Sequence, residues 1–190
     1  MDGIKERALD VADSLKKILD GLSETEAEEM LQELLRVKRE GKKVFVAAAG
    51  RTNLIMRTFA MRLMQIGFSS YVVFDTNTPA FETGDLLIAA SGSGATETVA
   101  VIVRQAQKIG GRFVLISKTN DSALARSADV LVRIPTSLAG RKLQTKGSEF
   151  EQSLFLFCDT MGVALMKRLG CIEDISEIDG FIRIRHANLQ

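Results

Sequence analysis

Six consecutive residues, Ser91-Gly92-Ser93-Gly94-Ala95-Thr96, concentrate the chemistry of this sequence. Ser91, Ser93 and Thr96 supply hydroxyls, while Gly92 and Gly94 let the backbone approach a ligand closely and present its N–H groups. An apolar run, Leu86–Ala90, precedes the stretch and a helical pattern follows it, so it lies where a strand hands over to a helix. A helix N-terminus there adds unpaired N–H groups and the positive end of the helix dipole, a combination suited to a phosphate monoester. Taken alone, the same stretch would also serve as a Ser/Gly turn capping a helix, but its place after a strand favours the phosphate. Neither G-x-G-x-x-G nor G-x-x-x-x-G-K-[ST] is present, which argues against dinucleotide and P-loop sites. Without the P-loop lysine or a magnesium carboxylate, the phosphate reads as a handle rather than a leaving group.

Three further positions could act beside it. Gly50-Arg51-Thr52-Asn53 follows an earlier apolar run. Thr52 can donate a hydroxyl to the same phosphate, cap the next helix, or do both; Arg51 suits an anionic or hydroxyl-bearing substrate and reads equally well as a solvated arginine. Glu151 lies at the edge of an apolar helical stripe formed by Phe150, Leu154, Phe157, Cys158, Met161, Leu165 and Leu169. A carboxylate partly withdrawn from water holds its proton more tightly, which suits proton abstraction. A glutamate in a first turn also favours the helix N-terminus by charge alone, and Glu149 competes for the chemical role. His186, the only histidine, stands in a charged tail where solvation is its ordinary state, and it cannot form a metal site by itself. Cys158 reads as a small core hydrophobe, and Cys171 has no assigned role.

The elements that must position these residues follow from periodicity. Apolar positions from Asp2 to Leu19, ended by Gly21, predict one helix; Ser23-Glu24-Thr25-Glu26 offers a capping box for a second, which closes in Lys38 and Arg39 before Gly41. Beyond Lys43 the pattern changes to short continuous apolar runs: Val44–Ala49, Tyr71–Phe74, Leu86–Ala90, Phe113–Ile116 and Val130–Val132. Helical patterns lie between them at Leu54–Ile66, Thr96–Ile109 and Ser122–Arg126. This alternation predicts βαβ units and a doubly wound α/β fold with a parallel sheet, whose ligands bind beyond the carboxyl ends of the strands. Pro135–Lys146 reads as a polar basic loop, and Ser148–Leu169 as a long helix. The organisation expected is N-terminal helices over 1–40, an α/β domain over 41–170 and a C-terminal tail over 171–190.

Composition narrows the class. With 25 basic against 24 acidic residues the formal charge is +1, and nothing in it calls for nucleic acid or an anionic membrane. No apolar stretch approaches the roughly 18–20 residues of a membrane span. The first residues lack the basic and apolar regions of a signal peptide, so a cytoplasmic location is expected.

Several motifs together resemble one known family. Gly50-Arg51-Thr52, Phe59-Ala60-Met61-Arg62-Leu63-Met64, Thr78-Pro79-Ala80, Ser91-Gly92-Ser93-Gly94, Gly147-Ser148-Glu149-Phe150-Glu151 and Arg185-His186-Ala187-Asn188-Leu189 are similar to those of the 6-phospho-3-hexuloisomerases, a branch of the sugar isomerase (SIS) domain proteins. The resemblance spans nearly the whole chain. It implies a three-layer α-β-α sandwich around a five-stranded parallel sheet, flavodoxin-like, with N-terminal helices and a C-terminal helical tail. The reaction it implies is D-arabino-hex-3-ulose 6-phosphate to fructose 6-phosphate through a cis-enediolate, in the ribulose monophosphate route, coupled to a 3-hexulose-6-phosphate synthase. On that basis Ser91, Ser93, Thr96 and Thr52 grip the phosphate, with Gly50, Arg51, Gly92 and Gly94 lining its site. Glu151 carries the proton between C2 and C3, and His186 assists at an oxygen, reaching a neighbouring subunit's site. The resemblance also implies no metal or organic cofactor and a homotetramer. The sequence departs from the family pattern in Ala95 for the usual Glu (Glu97 lies two places on), in Thr52-Asn53 for Ser-Gly, and in Gln190 for the final Glu. Ala95 and Asn53 leave room for a non-catalytic sugar-phosphate sensor, and another SIS aldose–ketose isomerase is the further alternative.

Overall fold

In the computed structural model, which describes residues 3–140 and 142–189, the five apolar runs become β1 (Val44–Ala48), β2 (Ser70–Val72), β3 (Leu86–Ala90), β4 (Arg112–Ser117) and β5 (Val130–Arg133). All pair in parallel, in the order β2-β1-β3-β4-β5. Gln190 and Asp2, both named above, lie outside the described residues. Side chains alternate across the pleat, so each strand feeds two cores. Val44, Val46, Leu86, Ile88, Val114 and Ile116 enter one; Phe45, Ala47, Leu87, Ala89, Phe113 and Leu115 enter the other. Burial on both faces is why the runs are continuously apolar.

Helices complete the two outer layers. The first core takes in Ile18 of α1 (Ile4–Asp20), Met30 and Leu34 of α2 (Glu24–Arg39), Met56 and Phe59 of α3 (Gly50–Gln65), and Leu154 and Leu165 of α6 (Ser148–Arg168). The second takes in Val99 and Val103 of α4 (Glu97–Ile109) and Leu124 of α5 (Ala123–Ser127). The result is the expected three-layer sandwich. A short 3₁₀ turn at Ile175–Glu177, held by a capping box between Asp174 and Glu177, leads into α7 (Ile178–Arg183), which buries Ile182.

No helix joins β2 to β3. Residues 73–85 cross in turns and irregular conformation, and the Phe81 ring packs tilted against that of Phe45 with centroids 5.0 Å apart. The crossing is pinned by Asp85, fully buried, whose carboxylate accepts from the Lys43 N–H at 2.9 Å and the Glu82 N–H at 2.8 Å, with the Lys43 ammonium at 3.2 Å.

Four expectations need correction. β2 stops at Val72 rather than Phe74, because Asp75 N–H turns back to the Val72 carbonyl and Phe74 takes φ +76°, leaving its ring exposed. α3 begins at Gly50, four residues before the predicted Leu54. The capping box of α2 is half formed: Ser23 accepts from Glu26 N–H at 3.3 Å, while the Glu26 carboxylate turns away to accept from Arg133 N–H at 2.7 Å. α1 starts at Ile4, and Ile4 and Leu9 of its apolar pattern are exposed, so only its C-terminal half packs.

Candidate active site

The strand order reverses between β1 and β3, and the two sequence stretches of interest follow the carboxyl ends of those strands, where open parallel sheets place ligands. After β1 the chain is extended at Ala49, and Gly50 turns it at φ +58°, a left-handed conformation that glycine adopts without cost. That turn lifts Arg51 and Thr52 into the opening turn of α3. Thr52 does not cap the helix; Ala49 is the cap residue and offers no side-chain bond. The Thr52 hydroxyl instead donates to Glu151 Oε1 at 3.4 Å, and Arg51 Nη2 pairs with Glu151 Oε2 at 2.9 Å.

Glu151 reaches them from the opening turn of α6. The Glu151 N–H donates to the Gly147 carbonyl at 3.0 Å, and Gly147 itself is left-handed at φ +97°. Next to it Phe150 points inward, fully buried, and anchors this end of the helix. The Glu151 side chain is only 12% exposed, whereas that of Arg51 is 62% exposed. Oε2 is buried and, beyond the ion pair, accepts no aligned hydrogen bond. The carboxylate is thus largely withdrawn from water, with Oε2 held by the charge of Arg51 rather than by an aligned hydrogen bond. A cleft of about 400 Å³ opens beside it, walled by Arg51, Ile55, Gln152 and Phe155. Glu149 is half-buried and forms no ion pair among the described residues.

The Ser91–Thr96 stretch forms a closed turn. Ser91 N–H continues the sheet ladder to the Ile116 carbonyl at 3.0 Å, and Gly94 N–H returns to the Ser91 carbonyl at 3.0 Å. The Ser91 and Thr96 hydroxyls are 2.8 Å apart, and Ser93 Oγ accepts from Ala95 N–H at 3.3 Å. Ser91 is buried and Ser93 exposed. Gly94 has φ +62°, and a Cβ there would lie 2.2 Å from Ser122 Oγ, so the turn admits no side chain at that position. Thr96 is the cap residue of α4 but makes no side-chain bond to it, leaving the helix's first N–H groups open.

The two halves of the site touch. A Cβ on Gly92 would lie 3.3 Å from the Phe150 ring, so the Ser/Gly turn packs against the residue next to Glu151. Sequence reading named Ser91, Gly92, Ser93, Gly94 and Thr96 with Gly50, Arg51, Thr52 and Glu151; the structure sets Arg51 and Thr52 on Glu151 and Gly92 against Phe150. The sequence reading missed Lys118, whose side-chain Cε lies 3.2 Å from that same Cβ position and whose N–H donates to the Gly92 carbonyl at 3.4 Å. The available signal was positional: Lys118 is the first residue beyond β4, the strand beside β3.

His186 makes no hydrogen bond or ion pair with this cluster. It follows α7, exposed, with its N–H on the Arg183 carbonyl at 3.4 Å and no side-chain partner among the described residues. Cys158 is buried in the core, and burial, reinforced by the Asp159 carboxylate, pushes its thiol far up from the ordinary range. That leaves it inert packing. Among the described residues no cluster of His, Cys, Asp or Glu has metal-site geometry, and no helix is long and apolar enough to cross a membrane.

Comparison with known proteins extends the picture. Residues 39–143 match the SIS domain, a span that includes the Gly50 turn, the Ser91–Thr96 turn and Lys118 but ends before Glu151. A 3-hexulose-6-phosphate isomerase of Mycobacterium gastri is 37% identical over 95% of this chain and 92% of its own length. A protein of the same name from Methanocaldococcus jannaschii is 39% identical over 79% of this chain and 78% of its own. A Methanococcus jannaschii crystal structure, reported as implying a molecular function of 3-hexulose-6-phosphate isomerase, superimposes with a TM-score of 0.78 at 30% identity, covering 100% of both chains.

Proposed function

Because this chain belongs to the SIS domain family, we propose that it is a sugar-phosphate isomerase converting D-arabino-hex-3-ulose 6-phosphate to fructose 6-phosphate. One observation carries the reading: a sheltered carboxylate, Glu151, is held by Arg51 and Thr52, and its helix neighbour Phe150 packs on Gly92 of a Ser/Gly turn whose chemistry suits a phosphate.

The ester's phosphate binds at Ser91, Ser93 and Thr96 and the opening N–H groups of α4. Held there, the sugar presents C2 and C3 to Glu151. The carboxylate takes the C2 proton; the C2–H electron pair forms the C2=C3 bond of a cis-enediolate and the C3 carbonyl becomes an oxyanion. A proton then passes between the two oxygens, the carboxylic acid returns its proton to C3, and the carbonyl stands at C2. Atoms balance without any co-reactant, and the reading calls for no metal or organic cofactor. A positioned base supplies about 10²–10⁴-fold. The rest comes from stabilising the enediolate oxygens, which falls to Arg51 and backbone N–H groups, and from phosphate binding energy used to orient the sugar. His186, exposed and unbonded to these residues within one chain, is assigned to the site of a neighbouring copy in a homotetramer, where it assists at an oxygen. The route of supply is a 3-hexulose-6-phosphate synthase, and the location is the cytoplasm.

The test is direct. Purified protein is incubated with enzymatically generated hexulose 6-phosphate and followed by NMR. Appearance of fructose 6-phosphate supports the reading; binding without conversion would instead identify a sensor.

A further inference from the structure

We propose that Lys118 is the phosphate-neutralising residue of this site, a role that rests on the sugar-phosphate reading above. Four lysines of the chain are half-buried: Lys38, Lys42, Lys43 and Lys118. Three have oxygen partners. The Lys38 ammonium donates to the Gly67 carbonyl, that of Lys42 to the Thr83 carbonyl at 2.9 Å, and that of Lys43 pairs with Asp85 at 3.2 Å. Lys118 alone among them has no hydrogen bond or ion pair on its ammonium among the described residues. A half-buried cation with no acceptor beside it is available to an anion that arrives from outside the chain.

Its position says which partner. The Lys118 stem crosses the face of Gly92, with Cε 3.2 Å from where a Cβ would stand, and the ammonium is one bond further along that path. Its backbone is fixed to the same residue by the N–H donated to the Gly92 carbonyl. The ammonium, one bond beyond Cε, therefore lies close to Gly92 of the turn that carries Ser91 and Ser93. Hydroxyls and N–H groups orient a phosphate but carry no net charge, and a phosphate monoester near neutral pH carries close to two negative charges. Arg51, the other cation of the site, is already committed to Glu151 at 2.9 Å. The labour divides: Arg51 serves the carboxylate and the reacting oxygens, and Lys118 serves the phosphate as a compact point charge. Lys118 also lends its place to Gly92, since any side chain at 92 would press on both the lysine stem and Phe150.

The experiment compares the intact protein with Lys118→Met and Lys118→Arg, using calorimetric binding of fructose 6-phosphate, of inorganic phosphate and of fructose, together with turnover of hexulose 6-phosphate. Lys118→Met should weaken both phosphate-bearing probes about 10- to 100-fold, as expected for loss of a charge-assisted bond. It should raise KM by a similar factor with kcat changed less than about threefold. Lys118→Arg should restore most of the binding, which a merely structural defect would not allow, and melting temperatures check folding. Equal binding by wild type and Lys118→Met overturns the proposal and leaves the isomerase reading standing. Binding that depends on Lys118 without any turnover by wild type supports the proposal and sinks the isomerase reading. Failure of wild type to bind fructose 6-phosphate or inorganic phosphate at millimolar concentration overturns both.

Discussion

The role proposed for Glu151 rests on three neighbours rather than on its own position in a helix. Arg51 and Thr52 hold its two oxygens, and Phe150 fixes the turn that carries it. Replacing the carboxylate by an amide keeps the shape and removes the proposed base. Glu151→Gln should lower kcat by at least about 10²-fold while the affinity for fructose 6-phosphate changes less than threefold, measured by steady-state kinetics and calorimetry. Unchanged turnover would remove Glu151 from the chemistry. Ser93, exposed in the turn, makes only the weak 3.3 Å bond to Ala95 N–H and is free to rotate toward a ligand. Ser93→Ala should raise KM about 5- to 20-fold with little effect on kcat; an unaltered KM would count against the cradle. The sequence exposed these residues because their types are chemically specific: a Ser/Gly turn after a buried strand, and an acid on the edge of an apolar stripe. Lys118 stayed hidden because a lysine after a strand is commonplace, and only its stem lying on Gly92 distinguishes it. Thr52 was ambiguous for a different reason. Whether it caps α3 or faces the site depends on where the helix starts, and that is set by the left-handed turn at Gly50.

At the scale of elements, parallel-strand burial was easy to read because both faces of β1, β3 and β4 are covered, which gives unbroken apolar runs. Boundaries were harder. α3 starts four residues early because a glycine can enter the helix from an extended residue, and β2 ends early because Phe74 leaves the sheet at positive φ. The link between β2 and β3 has no periodicity, so its anchor was invisible in the sequence; Asp85 reads there as an ordinary loop acid. In the structure it is fully buried and ties Lys43 and Glu82 together through two backbone N–H groups. Asp85→Ala should lower stability by about 2–4 kcal/mol in urea unfolding, since it leaves buried donors and a lysine without their acceptor. A loss below about 0.5 kcal/mol would mean that the crossing is held by Phe81 and Phe45 alone.

At the scale of the whole molecule, one chain sets Arg51 on Glu151 and Lys118 on the Ser/Gly turn, while His186 forms no bond with any of them among the described residues. If the tail serves another copy, removing it should affect activity without unfolding the domain that it leaves. Truncation after Ile184 keeps the buried Ile182 and should lower turnover at least tenfold at unchanged melting temperature; a fully active truncated protein would make His186 a solvated residue. A different consequence follows from the carboxylate of Glu26, which abandoned its own helix to take the Arg133 N–H. β5 is the outermost strand on its side, and Arg133 is its last residue. Without that carboxylate the strand would present an unpaired donor to any passing extended chain, the usual seed for intermolecular pairing and precipitation. Glu26→Ala should therefore leave catalysis intact yet shorten the time to turbidity in concentrated, mildly heated solution, followed by light scattering, because a single side chain closes that margin against growth.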